Sequence, residues 1–187
     1  MQFETNSHGG WIVPANTAIP DGTEIPAWSD LGESCVLGAG CKIGAGCKFG
    51  DGCKIGAGCK FGAYCKFDYD CKLGDGCELG DDCKLGAGCE LGDDCKLGNY
   101  CRLGNGCKLG DGCELGAYCT LGDGCDLGAG CKLGNNSELG AGSALGAGSE
   151  TGAGDGLVAT APARPLERGS ARRSSTGLSG VPSKTSS

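Results

Sequence analysis

From Cys35 to Cys131 a cysteine stands at every sixth residue without a gap, and these are all 17 of the chain's cysteines. So strict a period means one short structural unit copied many times, and it outranks every other feature in deciding the fold. Cys71–Gly76 shows the unit as C-K-L-G-D-G: a small residue, a charged one, an aliphatic one, then Gly and two residues of turn type. The register continues without cysteine through Ser137-Glu138-Leu139-Gly140, Ser143-Ala144-Leu145-Gly146 and Ser149-Glu150-Thr151-Gly152. It also extends backwards through Ser29-Asp30-Leu31-Gly32, Thr23-Glu24-Ile25-Pro26, Thr17-Ala18-Ile19-Pro20 and Trp11-Ile12-Val13-Pro14. The array therefore occupies residues 11–154 as 24 hexads.

Within a hexad the first and third residues share one side of an extended backbone and the second points the other way. Gly or Pro in fourth place, followed by Ala, Asp, Asn or Gly, supplies turn chemistry. No segment of the array has a 3.6-residue period, so no substantial helix is expected there. A three-residue strand with one apolar side has no stability alone. Stacking such strands at ~4.8 Å buries that side and pairs the backbone.

The motif aliphatic-Gly-x-x-small-x, as in Leu37-Gly38-Ala39-Gly40-Cys41-Lys42 and its copies, resembles the hexapeptide-repeat family, over about three quarters of the chain. The resemblance implies an all-β fold, a single-stranded left-handed parallel β-helix shaped as a triangular prism. It has three hexads per coil and about eight coils, roughly 38 Å long at the usual strand spacing. Members of the family include acyltransferases, in which a His acts as general base and loops interrupt the coils, and a carbonic anhydrase in which histidines hold the metal. Here the one His, His8, precedes the array, and no insertion breaks the 24 hexads. Only coil-building residues match, so no catalytic residue, metal ligand or cofactor is carried over.

Residues 1–10 are expected to cap the first coil, with Phe3 as the plug; the domain spans are 1–10, 11–160 for the β-helix, and 161–187. The last segment, rich in Ser, Arg, Gly and Pro, is expected to be a disordered basic tail. It carries a net +4 against −11 for residues 1–160. Two irregularities stand out: Thr151 in an aliphatic slot, where stacking is expected to stop, and Asp68 in place of Gly, where a distorted corner is expected. The cysteines are read as small apolar fillers, because Thr or Ser takes the same slot at both ends. They lack the paired spacing of zinc sites, and in-register stacking holds their Cβ atoms too far apart for easy disulfides. Reduced thiols point to a reducing, cytoplasmic compartment. Met1–Gly10 has no basic and apolar leader pattern, and no apolar run is long enough to span a membrane. A thiol-based metal binder remains a third functional class. Ice binding is set aside, since the outward positions are mostly Lys and Glu rather than Thr.

Aligning hexads 18 residues apart concentrates the chemistry on one edge. One corner column reads Trp28, Gly46, Tyr64, Asp82, Tyr100, Tyr118, Asn136, and the outward column after it reads Lys48, Lys66, Lys84, Arg102. The other two outward columns mix signs. Large residues at a corner that favours left-handed backbone carry strain, and stacked like charges repel. Trp28, Tyr64, Tyr100 and Tyr118 with Lys48, Lys66, Lys84 and Arg102 are therefore the candidate binding or interface residues. Their partner is expected to be a protein, a second copy of the chain (a homotrimer being one form) or an anionic ligand. Nucleic acid is disfavoured by the acidic body. The function expected is a non-catalytic structural or recognition rod, with an acyltransferase-like enzyme, or a decayed relative of one, as the alternative.

Overall fold

A computed structural model of the chain describes residues 2–154 and the strand at residues 156–157. The expected basic tail over 161–187 lies outside the described residues. Among the described residues every element is a β-strand, two residues long in nearly all hexads, formed by the second and third positions, as in Lys72–Leu73. The first three strands of the array, β2 (Trp11–Val13), β3 (Ala18–Ile19) and β4 (Glu24–Ile25) after the short β1 (Glu4–Thr5), begin three separate sheets. Each later strand pairs in parallel with the strand 18 residues away, as Lys66 does with Lys48 and Lys84. The result is a three-sided solenoid of about seven complete turns with part turns at its ends. Face 1, begun by β1 and β2, has 10 strands; face 2, begun by β3, has 8; and face 3, begun by β4, has 7.

Hexad chemistry dictates this winding. The aliphatic third residues, such as Leu73, Leu79 and Leu85, are 4% exposed and the cysteines 0%, whereas the charged second residues lie outside. One early layer is aromatic: Phe49 stacks on Phe67 at 4.6 Å between centroids, and Phe61 meets both edge-on at 5.6 and 5.1 Å. Amides at several positions of each hexad reach adjacent coils. In the second and fourth positions they bond downward, as Lys48 does to the Ser29 carbonyl and Gly50 to the Leu31 carbonyl, both at 2.9 Å. In the sixth position they bond upward, as Tyr64 does to the Asp81 carbonyl at 2.9 Å.

The corners hold a device the sequence did not advertise. Asp or Asn in the fifth position accepts, on its side-chain oxygen, the amide one coil above: Asp75 from Asp93, Asp93 from Asp111, Asp111 from Ala129, at 2.6–3.0 Å. The sixth residue adopts left-handed backbone throughout, in Gly76 (φ 64°) and Asp82 (φ 58°) alike. At Asp68 the expected distortion is absent: its amide keeps the ladder bond to the Phe49 carbonyl at 2.9 Å and Asp70 keeps φ 55°. Stacking does not stop at Thr151 either. Glu150 bridges Lys132 in parallel, and the strand Gly156–Leu157 pairs with Glu138–Leu139. Backbone pairing there does not depend on the missing aliphatic side chain.

At the other end β1 pairs antiparallel with β2, placing Phe3 at 5.3 Å from Trp11 between ring centroids. The Asn6 side chain donates to the Trp28 carbonyl at 2.7 Å and accepts the His8 and Gly10 amides.

Candidate interaction face

Face 1 presents outward, in strand register, Asp30, Lys48, Lys66, Lys84, Arg102, Thr120 and Glu138. The four candidate cations are thus successive rungs. Lys48 Nζ lies 3.1 Å from Asp30 Oδ1. Lys66, Lys84 and Arg102 make no ion pair among the described residues, whereas on face 3 Lys42, Lys60, Lys96 and Lys132 all do. Each exposed pair is worth little, ~0–1 kcal/mol, so the contrast concerns availability rather than stability.

Trp28, Tyr64, Tyr100 and Tyr118 line the edge between faces 3 and 1, half-exposed, with φ of 63°, 64°, 60° and 59°. A non-Gly residue in this region costs about 1–2 kcal/mol, and with Asp82 and Asn136 the corner holds six of them. Trp28 covers the α-carbon of Gly46, so that any Cβ there would strike its ring. Tyr100 and Tyr118 stack at 5.1 Å with planes 7° apart. Asp82 separates Tyr64 from that pair in the column.

Two contributors escaped the sequence reading. Tyr69, the most exposed of the large apolar residues at 60%, stands on the opposite edge of face 1, beside Asp68 and Asp70. It occupies the fifth position of its hexad, whereas the aromatic column was drawn through the sixth. His8 sits 6.2 Å from Trp28 between ring centroids, brought there by the turn before β2. Its sequence position ahead of the array gave no sign of this.

The thiols form three internal columns. Each sulfur donates to the fourth-position carbonyl 21 residues earlier, as Cys71 does to Gly50 at 3.3 Å and Cys83 to Gly62 at 3.5 Å. The amide 18 residues earlier donates to the same sulfur, Cys35 to Cys53 for example. At the column ends the equally buried Ser29 and Ser137 donate to a fourth-position carbonyl three residues earlier, Pro26 and Gly134, each at 2.7 Å. All 17 cysteines are free. Burial pushes the Cys35 and Cys41 thiols up. Cys65 is pushed up to about 12, chiefly by hydrogen bonding with Cys47. Where a thiol proton turns along the column instead of to the carbonyl, neighbours move oppositely: accepting from Cys77 draws Cys59 down to about 7. A second thiolate one rung away would be strongly opposed. Among the described residues no group of three or more His, Cys, Asp or Glu is placed to hold a metal ion. A shallow depression lies on face 2, between Lys54, Lys72 and Glu90.

A family profile for bacterial transferase hexapeptide repeats, described as six repeats, matches residues 34–68, 76–111, 88–123 and 106–141. Together these cover more than half of the chain. The chain belongs to the hexapeptide-repeat family. The handedness of its coil is accordingly that of the family's left-handed β-helix, and the family's third-position aliphatic and fourth-position Gly correspond to the buried column and the inward-turning corner seen here. No curated protein and no solved structure matches it. No helix is long and apolar enough to cross a membrane among the described residues.

Proposed function

We propose that this hexapeptide-repeat protein is a non-catalytic structural or recognition rod that presents face 1 to a partner or to a second copy of itself. The observation that carries the reading is the run Lys66, Lys84, Arg102, unpaired on consecutive rungs beside strained, half-exposed aromatics. The mechanism is geometric. The rungs are held ~4.8 Å apart by backbone pairing, so the face loses little conformational entropy when it is contacted. Cations placed this way favour an anionic surface, and aromatic rings add flat apolar area at the rim. The continuity of the ladder supports a non-enzymatic role, since no loop departs from it to wall a pocket. The complete burial of the sulfurs weighs against metal capture, because an ion would find no open path to them.

The test replaces Lys48, Lys66, Lys84 and Arg102 together by Ser. Because all four side chains point outward, thermal unfolding and the far-ultraviolet spectrum are expected to match the parent. Solution mass by light scattering and retention on immobilised heparin, a linear polyanion, are the readouts. Loss of the parent's association or retention, with salt sensitivity of the parent's retention, supports the reading. A folded variant that keeps every interaction of the parent ends it.

A further inference from the structure

In the first coil the fourth position of every hexad is proline, at Pro14, Pro20 and Pro26, whereas from Gly32 onward it is glycine at every corner up to Gly152 except Asp68. The hydrogen bonds explain the difference. In later coils the fourth-position amide donates downward to the third-position carbonyl beneath: Gly32 to Val13 at 2.9 Å, Gly38 to Ile19 at 2.8 Å, Gly44 to Ile25 at 2.9 Å. The fourth-position carbonyl works in the opposite direction and accepts the thiol of the coil above: Cys35 to Pro14, Cys41 to Pro20 and Cys47 to Pro26, each at 3.3 Å. Proline keeps that upward acceptor and deletes the downward donor. Its ring carbon stands where the hydrogen would be and bars a carbonyl from approaching. A side chain is also tolerated there because no hexad of the array lies beneath. A Cβ on Gly32 or Gly44 would run into the backbone of Ala15 or Ala27.

We propose that Pro14, Pro20 and Pro26 make the first coil a stop against end-on stacking by a second copy of this chain. The end needs one. Face 1 is closed there by β1, but β3 and β4 begin faces 2 and 3 with no strand below them, and the Ala18 and Glu24 amides have no partner among the described residues. Unpaired strand edges invite addition of another strand, and a regular coil is a template for a copy of itself. Three prolines remove one donor at every corner and put a ring in each contact. The third-position Val13, Ile19 and Ile25 are thereby kept as the last buried rung rather than the middle of a longer column.

The inference is independent of face 1 and separable from it, since end-on contact uses backbone at the tip rather than outward side chains. The triple variant Pro14→Gly, Pro20→Gly, Pro26→Gly restores the donor and the space at all corners. Its mass by light scattering is expected to rise with protein concentration, on the order of twofold or more where the parent's mass is constant or changes less. The Ala18 and Glu24 amides are expected to gain protection from hydrogen exchange as the mass rises, and the association is expected to persist when the face 1 cations are replaced by Ser. The single variant Pro20→Gly, at the corner between the two uncovered edges, keeps the test decisive if the triple variant folds poorly, with a smaller shift in the same direction. A folded variant with the parent's mass at every concentration, and no new protection at Ala18 and Glu24, overturns the proposal and leaves the prolines as stiffeners of the first turn.

Discussion

At Cys83 the side chain has to be small, apolar enough for an interior with no solvent contact, and able both to donate to the Gly62 carbonyl and to accept the Cys65 amide. Thiol and hydroxyl meet these terms; alanine would leave both backbone groups orphaned, at a cost of about 1–3 kcal/mol for each. Titration follows from the sulfur column, where hydrogen bonding between neighbouring thiols outweighs burial. Cys71 is pushed up to about 12 from an ordinary value of 9.0, as are Cys65, Cys83 and Cys101. A group held protonated by the fold contributes stability that is complete below its unfolded pKa and is lost as pH rises toward its folded one. The contribution of these four thiols is therefore expected to be complete below pH 9 and to be lost progressively from there to about pH 12, read as a falling thermal midpoint. A midpoint that climbs across that window would contradict it.

A single strand and its corner carry a polarity that composition conceals. Glycine and proline look interchangeable in the fourth position when read as turn formers, and that is how the sequence presents them. In the stack they differ by one directional bond. Gly92 donates to the Leu73 carbonyl at 2.9 Å, and a Cβ on it would meet the Asp75 backbone. Gly92→Pro is expected to lower stability by on the order of 2–4 kcal/mol, read from the urea midpoint. The same residue three coils or more earlier, in Pro14, Pro20 or Pro26, does no harm. The fifth-position Asp and Asn were likewise legible as turn residues but not as the inter-coil acceptors they are, because the bond reaches a residue 18 further on. Side-chain identity alone predicts a distorted corner at Asp68 and an end to the stacking at Thr151. The backbone ladder passes through both.

Across the full rod, stability is a sum over near-identical coils, each touching only its neighbours. Such a molecule tolerates loss of whole repeats, and the size of the deletion selects what survives. Removing residues 77–94, one complete coil, brings Arg102 directly above Lys66 and leaves the cation column of face 1 continuous. Removing residues 77–82, one hexad, still leaves an unbroken run of hexads, but it rotates everything above by one face and sets Glu90 above Lys66. Both shortened proteins are expected to keep the β spectrum of the parent. The longer deletion is expected to keep face 1 association or polyanion retention and the shorter one to lose it. Equal behaviour of the two would show that overall charge, and not the ladder, drives the contact.

Inside and outside, the three columns and the grouping of Trp28, Tyr64, Tyr100 and Tyr118 beside Lys48, Lys66, Lys84 and Arg102 follow from the sequence by itself, because a strand alternates every two residues and a coil closes every 18. The stacked coils alone decided which way each corner group bonds, that Tyr69 and His8 join the edges of face 1, and that the first turn differs in kind from the rest. Hydrogen bonds have a direction and a rod has ends, and neither exists until one coil lies on another.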